Sequence, residues 1–509
     1  MIFAFIFFVS SQSNWQLIST LRPGIPNKDL FGRSVAICST QQRVVVGAEW
    51  ADNPSTNKSR AGALYVYDYD YRGRNWTQKQ IIYAEDSDDI EFYGLGSTVE
   101  ISSDCNTIIA GAPSSNMLSQ VSTRQCGAVA IFEYNGAFFE QTHVGKPIEP
   151  IEGGGFGRTL AISTDAKYFA AANYNKFSAV EVKFEGQVEV HSNVYDFDKS
   201  ELRWDRTVLD PPDNLLNGNR YRFGNKIQFL DASTIIISAD DLLDLSTSGI
   251  YIYKKSFNET TQSTFWRLIN DGINASAFGY NNIGESFSMP STKQDFIALL
   301  ATNETNTGII FLTRNDSTDV WEKIYSIDLP QGYFASQLYF CGESYLAATG
   351  KYKENRQTSK NVLILFKNVN GKFQFNDSIF EPAEDDTVKL LKKNVQSKSE
   401  NHTELHLNFL SSFAWDQERC FRFAIGSMSK SMNGSEHIPY EFGRVYVYQA
   451  SNFGFHHISA HYDLMPIIGT TFFSALLILL LVAVVIFYAI KFKRSRANRN
   501  FHANDPSMS

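Results

Sequence analysis

Phe31-Gly32-Arg33-Ser34-Val35-Ala36-Ile37 is the phrase on which the fold turns, because it comes back. It returns as Leu95-Gly96-Ser97-Thr98-Val99-Glu100-Ile101, as Phe156-Gly157-Arg158-Thr159-Leu160-Ala161-Ile162 and as Phe223-Gly224-Asn225-Lys226-Ile227. Each copy leads through a short polar turn into a second apolar run, such as Val44-Val45-Val46-Gly47-Ala48 or Ile108-Ile109-Ala110-Gly111-Ala112. A third run opens on glycine, as in Gly62-Ala63-Leu64-Tyr65-Val66-Tyr67, and a fourth is built on an aromatic, as in Trp76-Thr77-Gln78. A period of about sixty residues marks a repeat architecture.

The runs are rich in Val, Ile, Phe, Tyr and Trp and are separated by Gly, Asn, Asp and Ser, which is strand-and-turn chemistry. Four locally connected strands make one small antiparallel sheet that cannot bury both faces alone. Stacked around an axis, such sheets bury each other and remove most free edges. Small residues in the second run (Gly47-Ala48, Gly111-Ala112, Ala170 to Ala172) suit crowded backbones near the axis. Weaker copies begin at Ile283 and Phe334, and a seventh keeps Phe423-Ala424-Ile425-Gly426-Ser427 and Gly443-Arg444-Val445-Tyr446-Val447-Tyr448. That last copy lacks a fourth run, and Trp15-Gln16-Leu17-Ile18 stands ready to supply it. The expectation is all-β: a seven-bladed β-propeller of four-stranded antiparallel blades over residues 12–450, closed by a strand from the N-terminus.

Phe-Gly-x-Ser at residues 31 to 34 and the triplet Gly111-Ala112-Pro113 resemble the FG-GAP repeat family, best known from the propeller heads of integrin alpha subunits. The resemblance covers roughly residues 14 to 450 and implies ligand binding on loops between second and third strands and between blades. Some members hold calcium in the turn between first and second strands, on several converging carboxylate or amide oxygens. The matching turns here, Ser39-Thr40-Gln41-Gln42, Ser103-Asp104-Cys105-Asn106 and Thr164-Asp165-Ala166-Lys167, offer at most one carboxylate each. Asp68-Tyr69-Asp70-Tyr71-Arg72-Gly73 starts correctly but places Arg72 where an oxygen ligand belongs. No metal site and no cofactor are expected.

Residues 1–11 are apolar and end in small residues, as a secretory signal does. Residues 466–490 are nearly all apolar, long enough to span a bilayer as a C-terminal transmembrane helix. Lys491, Lys493, Arg494 and Arg496 follow, which puts the tail at 491–509 in the cytoplasm. Residues 451–465 form a short stalk. The expected topology is a single-pass type I protein of the plasma membrane or endomembrane, its N-terminus extracellular or luminal. The Lys491-Phe492-Lys493-Arg494 string is read as a stop-transfer cluster.

The formal charge is −8. The tail carries five Lys/Arg and one Asp, so the remainder is near −12, which argues against nucleic acid and anionic lipid as partners. Nine Asn-x-Ser/Thr sequons (Asn57, Asn75, Asn258, Asn274, Asn303, Asn315, Asn376, Asn401, Asn433) predict glycans on exposed loops. Five cysteines leave at least one unpaired. Cys105 and Cys126 fall at opposite ends of adjacent strands, no pairing is assigned, and the ring is expected to rest on its core and closure without staples.

Two stretches read as insertions, Phe184 to Asn219 and Glu381 to Asn401, the latter with a possible short helix over Thr387 to Val395. The acidic string Glu85-Asp86-Ser87-Asp88-Asp89 reads as a solvated inter-blade loop, and His402-Thr403-Glu404-Leu405-His406 as the start of a strand with one wet face. His456, His457 and His461 belong to the stalk. No nucleophile elbow, zinc-protease motif or phosphate loop appears, and Ser34 and Ser286 belong to the repeat. The chain therefore reads as a binder of an extracellular protein or glycan and not as an enzyme, with a possible second membrane subunit. The alternatives are a membrane-anchored propeller hydrolase acting on glycans or esters, and a scaffold subunit of a membrane complex. Candidate ligand-binding residues are Trp50, Asp52, Asp240, Asp241 and Lys351, in the loops Glu49 to Asn53, Ser114 to Gln125, Asp240 to Thr247 and Lys351 to Lys360.

Overall fold

The fold is taken from a computed structural model. It describes residues 15–450 apart from 24–28, 39, 88, 119–123, 174–176, 179–182, 185, 197–200, 210, 212–220, 242–247, 259–262, 270–272, 275–277, 279–282, 284–285, 291–292, 294, 303–306, 316–319, 355–357, 383–405, 416–419, 421 and 431–442. The chain divides into two units, Met1–Ala450 and Ser451–Ser509. The signal (1–11), stalk, transmembrane and tail expectations, and the helix over 387–395, lie outside the described residues. Among the described residues no helix is long and apolar enough to cross a membrane.

Seven antiparallel sheets carry the first unit. Blade 1 is Phe31–Cys38, Arg43–Ala48, Ala63–Asp70 and Asn75–Ile82. Blade 2 is Thr98–Ile101, Thr107–Ala112, Ala128–Tyr134 and Phe139–Gly145. Blade 3 is Leu160–Ile162, Tyr168–Ala172, Val188–Asp196 and Glu201–Leu209. Blade 4 is Tyr221–Asp231, Thr234–Asp241, Gly249–Asn258 and Ser263–Leu268, with Ile273–Asn274 added beside its third strand. Blade 5 is Phe287–Ser288, Phe296–Thr302, Thr307–Arg314 and Trp321–Asp328, and blade 6 is Tyr333–Cys341, Tyr345–Lys353, Ser359–Val369 and Lys372–Phe380. Blade 7 takes His406–Trp415, Arg422–Lys430 and Arg444–Ala450 from the end of the unit and Trp15–Leu21 from its start.

That last pairing is the expected closure: Trp15 lies opposite Ala450, Leu17 opposite Tyr448 and Thr20 opposite Tyr446. Trp15 is buried edge-on against Trp415 and Tyr345, at centroid distances of 5.7 Å each, with Phe423 at 4.9 Å. Aromatic burial of this kind supplies both area and edge-to-face attraction.

The repeated phrase has a physical role. Its glycine takes a left-handed backbone, as Gly96 does at φ +85°. Its hydroxyl then reaches the next blade: Ser34 Oγ donates to the Gly96 carbonyl (2.7 Å), and Thr98 Oγ1 to the Gly157 carbonyl (2.7 Å). Ser411 and Ser412 donate to the Gly32 carbonyl at 2.7 and 3.0 Å and so close the ring. The small residues of the second strand meet these turns, since a Cβ on Gly47 would stand 2.1 Å from the Gly96 oxygen.

Two expectations need correction. Staples do exist: Cys38 bonds Cys105, and Cys341 bonds Cys420. In both bridges the first cysteine ends an inner strand (blades 1 and 6) and the second sits in the turn after the inner strand of the following blade. The partners are 67 and 79 residues apart, one repeat away, so spacing within a blade gave no hint of them. Cys126 is the free cysteine among the described residues, and it is buried. The supposed insertion from Phe184 is also not slack, because it holds the third and fourth strands of blade 3. Glu189 and His191 interrupt its apolar run, yet both are fully buried.

Candidate functional site

In each blade the loop between strands two and three and the connection to the next blade emerge on one face, and the tight turns on the other. On the loop face three large apolar side chains are exposed in successive blades. They are Trp50 (44%) after the second strand of blade 1, Leu118 (49%) in the equivalent loop of blade 2, and Ile148 (40%) between blades 2 and 3. The backbone beneath them is held. Asp52 accepts from the Arg60 amide (2.8 Å), and the Arg60 guanidinium lies 4.8 Å over the Trp50 ring. Lys58 Nζ reaches both oxygens of Asp86 at 2.9 Å and stacks over Tyr93. Asp89 holds Lys146 at 2.6 Å. The acidic string thus works as cross-loop bracing, a role legible only once the loops are adjacent. Beneath Trp50, the buried Asp29 carboxyl accepts from the Phe31 amide and the Tyr65 hydroxyl, and desolvation lifts its pKa to about 6.

The other candidates do not join this cluster. Asp240 and Asp241 end the second strand of blade 4, paired in register with Arg222 and Tyr221. Lys351 is exposed in a strand of blade 6, opposite Asn361 and Phe334. The strands run further than the sequence suggested, so what were read as loops from Asp240 and Lys351 begin as ladder. Only Trp50 and Asp52 share a loop. The Asp68-x-Asp70 string is occupied otherwise: Asp68 forms a bidentate pair with the buried Arg43 (2.7 and 3.0 Å), and Asp70 accepts from the Arg72 amide. Among the described residues no three His, Cys, Asp or Glu side chains converge as a metal site. Of the sequons, Asn57 and Asn75 are exposed, while Asn315 donates to Glu322. Asn376 is half-buried in a strand, and Asn258 and Asn274 end strands. Asn303, Asn401 and Asn433 lie outside the described residues, as do residues 402–405, while His406 opens a strand as expected.

A second constellation lies on the axis. The inner strands of all seven blades line a lumen of about 230 Å³ that extends to the tight-turn face. Lys226, from blade 4, donates to the Leu338 carbonyl (2.8 Å) and to Ser286 Oγ (3.3 Å), and lies 4.6 Å over the Tyr339 ring. The side chain of Glu100, from blade 2, is exposed by area and lines the same lumen, which is open to solvent. Water reaches it while seven strands surround it. Burial accordingly raises the Glu100 carboxyl to about 7 and lowers the Lys226 ammonium to about 7, each charge partly offsetting the other's shift. Reading the phrase for function missed both. The signal was present: Lys226 stands where sister copies have Ser34, Thr98 and Thr159, and Glu100 where they have Ala36 and Ala161.

The fold so defines a seven-bladed propeller in which the hydroxyl of the repeated phrase locks blade 1 to blade 2 and blade 2 to blade 3. The FG-GAP repeat family matches residues 26–67, the end of the closing connection and three strands of blade 1. That match and the seven four-stranded blades fit an FG-GAP-type β-propeller. No curated protein matches it significantly. Among solved structures it is similar to the periplasmic gluconolactonase PpgL of Pseudomonas aeruginosa, at 13% identity over 68% of this chain and 85% of that one, with a TM-score of 0.41. It is similar to the RRP9 WD40 repeats at 8% identity, covering 72% and 99%, TM-score 0.31. A prolyl endopeptidase follows at 9% identity, covering 78% and 55%, TM-score 0.35. None of these likenesses bears on what this chain binds.

Proposed function

We propose that this chain is a single-pass membrane protein whose propeller binds an extracellular or luminal protein or glycan on its loop face, in an adhesion or receptor-like role. The observation that carries the reading is the run of exposed Trp50, Leu118 and Ile148 across blades 1 to 3, on loops braced by Lys58, Asp86, Asp89 and Lys146. A rigid aromatic anchor with apolar neighbours and a charged rim is the usual make-up of a binding hot spot. The two inter-blade disulfides suit an oxidising compartment, in line with the expected topology. A hydrolase would favour clustered acids at the channel mouth, and Glu100 is the one carboxylate among the described lumen residues.

The test is full-length chain presented to arrays of glycans and secreted proteins, with and without calcium, beside Trp50→Ala and Leu118→Asp. A ligand whose capture falls about tenfold or more in both variants supports the reading. Capture indifferent to both substitutions, or turnover of a glycan or ester, overturns it.

A further inference from the structure

The lumen holds two charges that the propeller does not pair with each other. Among the described residues nothing hydrogen-bonds or forms an ion pair with the Glu100 carboxylate, although Lys226 is near enough for its charge to be felt. Lys226 Nζ has three N–H donors and spends two, on Leu338 and Ser286. Its position is fixed by those bonds and by the Tyr339 ring. Of the other polar side chains of the lumen, the Trp415 indole N–H is buried without a hydrogen-bond partner, and most of the rest are satisfied within the protein. Gln228 exchanges hydrogen bonds with the Met289 backbone, Tyr339 donates to Gln337, Ser103 donates to the Thr164 carbonyl, and Ser102 and Ser163 donate to Asp104 and Asp165. Between them the wall is apolar, with Val35, Ile37, Ile101, Ile162, Ile227 and Phe340.

An acceptor and a donor thus stay open in a net-neutral, partly apolar chamber. A ligand with one charge would satisfy one of them and displace water from the other, leaving it uncompensated, which is costly. A ligand with both charges a few bonds apart satisfies both. The volume, about 230 Å³, is below the roughly 300 Å³ at which pockets for drug-sized ligands begin, and suits a metabolite. We propose that this lumen binds a small zwitterion of the amino-acid kind, its ammonium on the Glu100 carboxylate, its carboxylate on Lys226 Nζ, and its side chain against the apolar wall. The site opens on the tight-turn face, away from Trp50, and is independent of the loop-face reading.

The experiment is calorimetric titration of the full-length chain with the proteinogenic amino acids one by one, with methylamine and acetate as single-charge probes. The expected result is saturable binding of at least one amino acid, at least tenfold tighter than either single-charge probe. Glu100→Ala should weaken it about tenfold or more, the loss of one charge-assisted hydrogen bond. That variant keeps the fold, because Ala36, Ala161 and Ala414 line the same lumen from the inner strands of blades 1, 3 and 7. Glu100→Gln, which keeps the shape and removes the charge, should behave alike, and unchanged thermal unfolding of both variants certifies the comparison. The proposal is overturned if no amino acid binds, if methylamine or acetate binds as well, or if Glu100→Ala leaves the affinity unchanged.

Discussion

The seams between blades are not built alike, and two of them show the contrast. Between blades 1 and 2 the contact is covalent and cationic. Cys38 bonds Cys105, while the buried Arg43 pairs with Asp68, donates to the Cys105 carbonyl (3.0 Å) and lies 4.7 Å over Tyr134 and 4.9 Å over Phe139. Blade 7 repeats the cationic part of this against blade 1, with Arg422 over Tyr69 and Trp76 and bonded to Gln42 and Gln449. Between blades 2 and 3 neither a disulfide nor a buried arginine occurs among the described residues, and the one guanidinium contact, from Arg206 to the Lys146 carbonyl (3.1 Å), is exposed. There Glu189 and His191 are buried side by side, Glu189 accepts from the Ile148 amide (2.8 Å), and His191 stacks on Phe169 at 4.3 Å. His143 of blade 2 stacks on Trp204 of blade 3 at 5.3 Å. Permanent bonds and permanently charged arginines guard the blades around the closure. The blade 2–3 seam instead depends on groups that change protonation in acid.

Three measurements would break or sharpen this contrast. The largest effect belongs to the bridges. The entropy of closing a 67-residue loop is worth about 4 kcal/mol in the unfolded chain. Cys38→Ser with Cys105→Ser should lower the urea midpoint accordingly. An unchanged midpoint would remove the covalent half of the comparison. Next comes Trp15→Ala, which empties an aromatic cage at the closing strand and should cost about 3 kcal/mol, the low end for a buried tryptophan because the strand lies at the edge of its sheet. Limited proteolysis should then cut the chain near residues 15–21 first. Equal resistance in variant and parent would show that the closing strand is not held by its tryptophan.

The smallest effect is acid sensitivity at the blade 2–3 seam. Desolvation is the main cause that lowers both imidazoles, His143 to about 4 and His191 in the same direction. Arg206 adds to the shift of both, His191 to that of His143, and Glu189 opposes it at His191. A lowered histidine favours the folded state when neutral. This contribution is therefore whole above the unfolded value of 6.5 and is lost as pH falls from there toward 4. His143→Gln should flatten the fall in stability between pH 6.5 and 4 and leave pH 8 nearly unchanged. A fall of the same steepness in the variant would place the acid sensitivity elsewhere.

Much of the fold was legible because its grammar is local. A glycine with positive φ, a hydroxyl two residues on and a crowded second strand are all set within one repeat, and seven repeats with a missing last strand imply the closure. Blade 3 was the exception. Its third strand carries Glu189 and His191, and a run so interrupted reads as surface until neighbouring sheets bury it. Of the site, Trp50 and Asp52 were legible as an exposed loop after a complete strand. Lys351, Asp240 and Asp241 were not, because ladder pairing with distant strands decides where a strand stops.

The sequence by itself determined the blade, the number of blades and the strand that closes them, since each follows from backbone preferences and burial periodicity over a few residues. Tertiary structure alone decided which cysteines meet, which arginines rivet adjoining sheets, and that Glu100 and Lys226 share one lumen. Those partners come from different blades, dozens of residues apart or more, and no local pattern records what a ring brings to its axis.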